Sequence, residues 1–248
     1  DPSRLVGIHF FNPVAQMQLI EIIGATTTQQ LQLDRAAAFA LKIDRQPLPA
    51  FSSPGFLINR ILSPYLQEAM TMVDEGISPV VVDEVATEFG MPMGPIELAD
   101  TVGLDICLSV GTILAEKLGG SVPQSLNTKV QSRQLGRKTK QGFYRYQGKK
   151  IIRPKSQDTD VPRADIRDRM VLRLLNESIA CLRENVVADA DLLDVGMVFG
   201  TGFAPFRGGP MNYARERGIA DVCSRLTQLS AKYGERFTPD PAWETLAS

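Results

Sequence analysis

Histidine is nearly missing from this chain: its 248 residues hold a single one, His9. Cysteine is scarce too. Cys107, Cys181 and Cys223 are odd in number and widely spaced, which argues against a disulfide framework and offers no metal-ligand pattern; they read as reduced core cysteines of a reducing compartment. An excess of charge of either sign is also lacking, with 27 basic against 28 acidic residues, so the total gives no reason to expect nucleic acid or an anionic membrane as partner. No apolar run reaches the roughly 18 residues a membrane span needs, and no signal peptide is present, so a soluble, cytoplasmic chain without membrane insertion is expected. There is no initiator Met and no glycine-rich turn ahead of the first apolar run, and the chain reads as a fragment or a processed piece of a longer protein.

What is present begins with Gly7-Ile8-His9-Phe10-Phe11-Asn12-Pro13, an apolar strand closed by an Asn-Pro turn signal. Met17 to Ile23 follows as a second apolar strand, and it carries Glu21 between Ile20 and Ile22. An ionised carboxylate buried there without a partner costs several kcal/mol, about the scale of a whole domain's stability. A return strand after a short loop sets Glu21 beside His9, a pairing in which the carboxylate orients the ring and favours the imidazolium. Two blander readings stand beside it: a structural histidine, and a Glu21 facing solvent at a sheet edge, as the neighbouring Gln16 and Gln18 suggest.

His9-Phe10-Phe11-Asn12-Pro13, the carboxylate twelve residues after the histidine, and Pro54-Gly55-Phe56-Leu57-Ile58-Asn59-Arg60 together resemble the L-3-hydroxyacyl-CoA dehydrogenase family. Gly136-Arg137-Lys138-Thr139-Lys140-Gln141-Gly142-Phe143-Tyr144 resembles the family's closing signature, with Lys140 where a glycine is usual. The resemblance implies that His9 and Glu21 are the catalytic pair, that Asn59 is a catalytic residue touching substrate, and that Asn12 lies near the nicotinamide of NAD. It implies oxidation of a 3-hydroxyacyl-CoA to a 3-ketoacyl-CoA. The basic clusters at 133–140 and 149–155 read as solvated loops, contact with the 3′-phosphate of CoA being the alternative.

Taken in order, the chain offers an alanine-rich helix from Asp34, its N-cap, to Ile43, then a short edge strand from Pro47 to Phe51 tolerant of its two prolines. From Phe56 to Val73 apolar residues recur at helical spacing up to Gly76. Ser78-Pro79 opens the next helix and Gly90 closes it; helices follow from about 95 to 118, broken near Gly103. Residues 148–163 are polar and proline-containing, the expected linker.

Beyond it the pattern begins again. Arg169 to Glu184 repeats the first long helix, with Asn176-Glu177 in the place of Gln67-Glu68 at an offset of 109 residues; Asp189 opens a helix as Ser78 did, and Gly200 to Pro205 stands where Gly90 to Pro95 stood, at an offset of 110. That is an internal duplication. The expected fold is mainly α: a remnant of an α/β Rossmann-type NAD-binding domain (1–51), then two tandem helical dehydrogenase C-terminal repeats (52–147 and 164–248), which invite pseudo-two-fold pairing. The second copy has no His-Phe-Phe-Asn-Pro segment and reads as scaffold and a wall of the acyl site.

Gly200-Thr201-Gly202 lacks a third glycine and a preceding strand, so the cofactor loop is expected before Asp1, and the 248 residues alone are expected to fold without binding NAD or turning over substrate. Tandem copies occur in the multifunctional fatty-acid-oxidation enzymes of the family. They imply that type, with acyl-CoA as substrate and a homo-oligomer or a β-oxidation complex as assembly; in a eukaryote the compartment is the peroxisome or mitochondrial matrix. The alternatives are a non-catalytic helical scaffold or dimerisation module, and a 3-hydroxybutyryl-CoA dehydrogenase.

Overall fold

Alternation dictates the sheet. In the computed structural model, which describes residues 1–156 and 159–247, β1 (Gly7–Phe10) pairs antiparallel with β2 (Leu19–Gly24), and β2 pairs parallel with β3 (Gln46–Phe51). Helix α1 (Gln30–Lys42) is the crossover that a parallel pair requires. Ile20 and Ile22 on one face of β2 meet Ala36 and Ala40 of α1. Leu19, Glu21 and Ile23 turn to the other face, and all of β2 is buried. Pro47 and Pro49 are tolerated because β3 is an edge strand of the order β1-β2-β3.

Helix α1 starts at Gln30, not at Asp34. Its cap residue, Gln29, makes no side-chain cap bond, and Asp34 instead accepts from the Gln30 side chain at 2.8 Å, one turn into the helix. The start therefore left no capping residue to read.

The helices follow as α2 (Ile58–Asp74), α3 (Pro79–Phe89), α4 (Pro95–Val102), α5 (Leu104–Leu118), α6 (Gln124–Gln131), α7 (Arg163–Arg183), α8 (Ala190–Thr201), α9 (Pro210–Arg217), α10 (Ile219–Tyr233) and the short α11 (Trp243–Ala247). Two compact units emerge, and they do not follow chain order. One contains residues 1–61, 175–223 and 239 onward; the other contains 62–174 and 224–238. No single helix among the described residues is long and apolar enough to cross a membrane.

In the first unit, α8 lies against the Glu21 face of the sheet. A Cβ on Gly196 would come 2.6 Å from Leu48, and one on Gly200 would come 3.0 Å from Leu19, so glycine is what lets the helix approach so closely. Asp194 of α8 is buried and accepts from the amides of Met211 and Asn212 at the start of α9 (2.7 and 2.9 Å).

The second unit repeats that device. Asp83 of α3 accepts from the amides of Ile96 and Glu97 at the start of α4 (2.8 and 3.1 Å), and from the Tyr144 hydroxyl at 2.8 Å. Burial pushes the Asp83 carboxyl up to about 6 despite these donors. Asp100 of α4 accepts from the amides of Phe143 and Tyr144 and from the Tyr146 hydroxyl, each at 2.9 Å, and so fastens residues 142–146 to the helix.

The stretch 148–163 is not wholly linker. β4 (Arg145–Gln147) and β5 (Lys150–Ile152) form a hairpin through Gly148-Lys149, so its first residues belong to a folded element. Strands of three residues among polar neighbours carry too little alternation to read.

Lys140, which stands where the resemblance leads one to expect glycine, sits at φ +62, ψ 7, in the left-handed region, and its side chain is exposed. An L-residue pays about 1–2 kcal/mol there and glycine does not. Lys140→Gly is therefore expected to raise the unfolding free energy by about 1 kcal/mol in urea titration; a loss of stability would show that the Lys140 side chain makes a contribution the backbone account omits.

Candidate active site

In the β1–β2 ladder His9 stands directly opposite Glu21, so both side chains leave the same face of the sheet. His9 Nδ1 lies 2.7 Å from Glu21 Oε2. The other oxygen, Oε1, accepts from the backbone amides of Leu57 (2.9 Å) and Ile58 (3.0 Å), where α2 begins. A helix N-terminus presents unpaired N–H groups and a partial positive charge, which suits a carboxylate. Glu21 has no exposed surface, and β2 is the central strand, so the sheet-edge reading of this residue does not apply.

The His9 side chain keeps 29% of its surface. Phe11 meets its ring edge-on at 4.7 Å between centroids, and Phe56 flanks it at 5.4 Å. Because the carboxylate only accepts hydrogen bonds, Nδ1 is the donor, and in a neutral ring Nε2 is left with a lone pair. A partly exposed imidazole with a fixed tautomer and a second nitrogen without a partner among the described residues is chemically able to take up and return a proton.

Asn59 is the second residue of α2, next to the amide that holds Glu21, and it is half-buried. Its side chain has no hydrogen-bond partner among the described residues. Asn12 lies two residues beyond β1 and is exposed, likewise without a side-chain partner among them. The amides of Leu57 and Ile58, the Phe56 ring and the loop at Ser53 were not found from sequence. The signal available was Pro54-Gly55 ahead of a long helix, a turn that leaves helix-terminal amides free for an anion.

Two family models together match more than half of the chain. The NAD binding domain of 3-hydroxyacyl-CoA dehydrogenase matches residues 1–52, and the C-terminal domain matches 55–146. The chain belongs to the 3-hydroxyacyl-CoA dehydrogenase family.

A fatty acid oxidation complex subunit alpha from Vibrio campbellii is 36% identical over 253 aligned positions, covering 96% of this chain. A second, from Shewanella halifaxensis, is 34% identical over 96% of the chain. The chain spans 35% of the length of each of these relatives. Among solved structures, the dehydrogenase part of multifunctional enzyme 1 from C. elegans aligns over 99% of this chain and 60% of its own, at 28% identity and a TM-score of 0.71. A 3-hydroxybutyryl-CoA dehydrogenase from Escherichia coli aligns over 99% of this chain and 71% of its own with a TM-score of 0.84; at 21% identity it shares the fold. Since residues 1–52 are themselves part of an NAD-binding domain, this match gives no support to placing the whole cofactor site outside the chain.

Replacing Glu21 tests its anchorage in this dehydrogenase fold. Glu21→Leu leaves two buried amides unpaired and is expected to cost about 2–5 kcal/mol, whereas Glu21→Gln keeps an acceptor for them and is expected to cost about 1–2 kcal/mol. Urea midpoints report both. A leucine variant as stable as the parent would mean that those amides are satisfied elsewhere.

Proposed function

We propose that these residues form the acid–base part of an NAD-dependent L-3-hydroxyacyl-CoA dehydrogenase of fatty acid β-oxidation. One observation carries the reading: a wholly buried carboxylate, held by a helix N-terminus, is aimed at the chain's single and partly exposed imidazole. A purely scaffolding module has no use for that expenditure.

In the proposed reaction Nε2 of His9 takes the proton from the 3-hydroxyl as the hydride departs from C3. Glu21 holds the tautomer and stabilises the imidazolium that forms. Asn59, with its amide uncommitted, hydrogen-bonds the substrate. The cofactor's share of the chemistry is to accept the hydride. Asn12 fits the nicotinamide end, because its exposed, unpaired amide offers both the donor and the acceptor that a carboxamide requires. The pyrophosphate asks for a Gly-x-Gly-x-x-Gly turn at a helix N-terminus, and the 248 residues contain none. The chain by itself is therefore proposed to be inactive, and assembly in a fatty-acid-oxidation complex is proposed from the relatives' names.

The domain division at 51, 147 and 163 and the tandem-copy reading belong to the same proposal. Their support is the matched device: Asp83 holds the start of α4 and Asp194 the start of α9, with Gly94 and Gly209 too close to these side chains to admit a Cβ. Helices α4 and α9 both have 8 residues, and each is followed by a glycine of similar torsion, Gly103 (φ 109, ψ 124) and Gly218 (φ 96, ψ 120). Helices α5 and α10 then have 15 residues each. The register differs from the one read in the sequence: Asp194 lies 111 residues after Asp83, and Pro210 lies 115 after Pro95. Ala204-Pro205 opens a short 3-10 turn, Pro205–Arg207, and Gly209-Pro210 takes the place of Gly94-Pro95.

The test is 3-hydroxyacyl-CoA oxidation followed by NADH absorbance, in a polypeptide carrying these residues with a complete NAD-binding domain. His9→Gln is expected to lower kcat by about 10²–10⁴ with little change in KM. An unchanged kcat would contradict the proposal, as would turnover by residues 1–248 alone.

A further inference from the structure

The loop that delivers the Leu57 and Ile58 amides to Glu21 is held in an unfavourable backbone shape. Gly55 lies at φ +76 and Phe56 at φ +52. A phenylalanine in the left-handed region carries a cost of about 1–2 kcal/mol, and such residues persist only where their surroundings over-determine them. The Phe56 amide bonds to the Ser53 carbonyl at 2.9 Å, which closes the turn but does not fix it in space.

Arg60 does. It is on the first turn of α2 and only 2% exposed. Its Nη1 donates to Ser53 Oγ at 2.9 Å, its Nε to Glu177 Oε1 at 2.7 Å, and Nη1 also lies 2.7 Å from Glu184 Oε2. Glu177 is on α7 and Glu184 just beyond its end. Burial opposes the charge, and the bonds to Glu184 and Glu177 more than offset it, so the guanidinium is held charged. Cys181, on the same stretch of α7, is kept as a thiol by its burial and does not compete for the guanidinium. The fork thus ties a strained loop at one end to two carboxylates at the other, and lysine, a point charge with a different reach, does not reproduce it.

We infer that Arg60 is a positioning residue for the His9–Glu21 pair: by clamping Ser53 to Glu177 and Glu184 it holds the turn at Gly55-Phe56 that aims two amides at Glu21 and sets Phe56 beside His9. The inference rests on the acid–base role proposed for His9. It gives residues from the second helical segment a part in shaping the site, although that segment has no catalytic pair of its own. Releasing the fork lets Phe56 return to negative φ, which turns the Leu57 and Ile58 amides away and leaves Glu21 free to reorient from His9.

The single histidine makes the test direct in the 248-residue chain. A hydrogen-bonded Nδ1–H gives a downfield proton resonance, and here it has only one source. Arg60→Lys, which keeps the charge, is expected to lose this resonance by exchange with water while circular dichroism and cooperative melting persist. Ser53→Ala removes only the loop end of the clamp and is expected to weaken the signal without unfolding the chain; it decides the matter if Arg60→Lys does not fold. A resonance of parental position and intensity in Arg60→Lys, or in Ser53→Ala where the lysine variant does not fold, overturns the inference, because a merely stabilising ion pair would leave His9 undisturbed. The readout involves no turnover. Failure of acyl-CoA oxidation would therefore sink the functional reading while leaving this hydrogen bond measurable.

Discussion

Everything at this site depends on where the negative charge of Glu21 is discharged. A carboxylate at the centre of a buried strand costs several kcal/mol unless its lone pairs are used, and Glu21 has no exposed surface. The fold supplies three donors: two amides from the beginning of α2 and the imidazole from the neighbouring strand. Each constrains another part of the chain. The imidazole requires the His9–Glu21 register, and a slip of one residue would send His9 to the α1 face. The amides require that α2 begin at one place and point one way, which the turn at Gly55-Phe56 accomplishes at the expense of backbone strain.

The same physics recurs at the helix starts further along. Asp83, Asp194 and Glu21 are all buried carboxylates that accept from the first amides of a helix. At Asp83 and Asp194 the partners are otherwise structural, and the result is a fixed helix–turn–helix corner. Glu21 has one further donor, a partly exposed imidazole, and it is on that addition that the proposed acid–base role rests. A burial-driven upward push on Asp83 and Asp194 shows how finely such anchors are balanced between desolvation and hydrogen bonding.

What was legible in the sequence follows from which interactions leave a trace in residue identity. Alternation and a lone carboxylate among isoleucines revealed β1, β2 and the facing of His9 and Glu21. Gly90 and Gly103 marked real helix ends because no other residue takes those torsions easily. Backbone donors leave no such trace, so the anchorage of Glu21 by amides 36 and 37 residues away could not be seen. Nor could the start of α1, whose cap makes no side-chain bond, or the start of α9, because Ala204-Pro205 opens only a 3-10 turn and the helix begins five residues later at Pro210. Arg60 was visible only as part of a family motif; its carboxylate partners, Glu177 and Glu184, lie more than a hundred residues away in the chain.

The central claim is that Glu21 fixes the proton of His9 on Nδ1 and leaves Nε2 free to act. Nitrogen-15 shifts of the one imidazole, recorded near pH 8.5 where a free ring is neutral, measure this directly. The account predicts a protonated Nδ1 and an unprotonated Nε2. A proton on Nε2, or the averaged pair of shifts of an unrestrained ring, would contradict it.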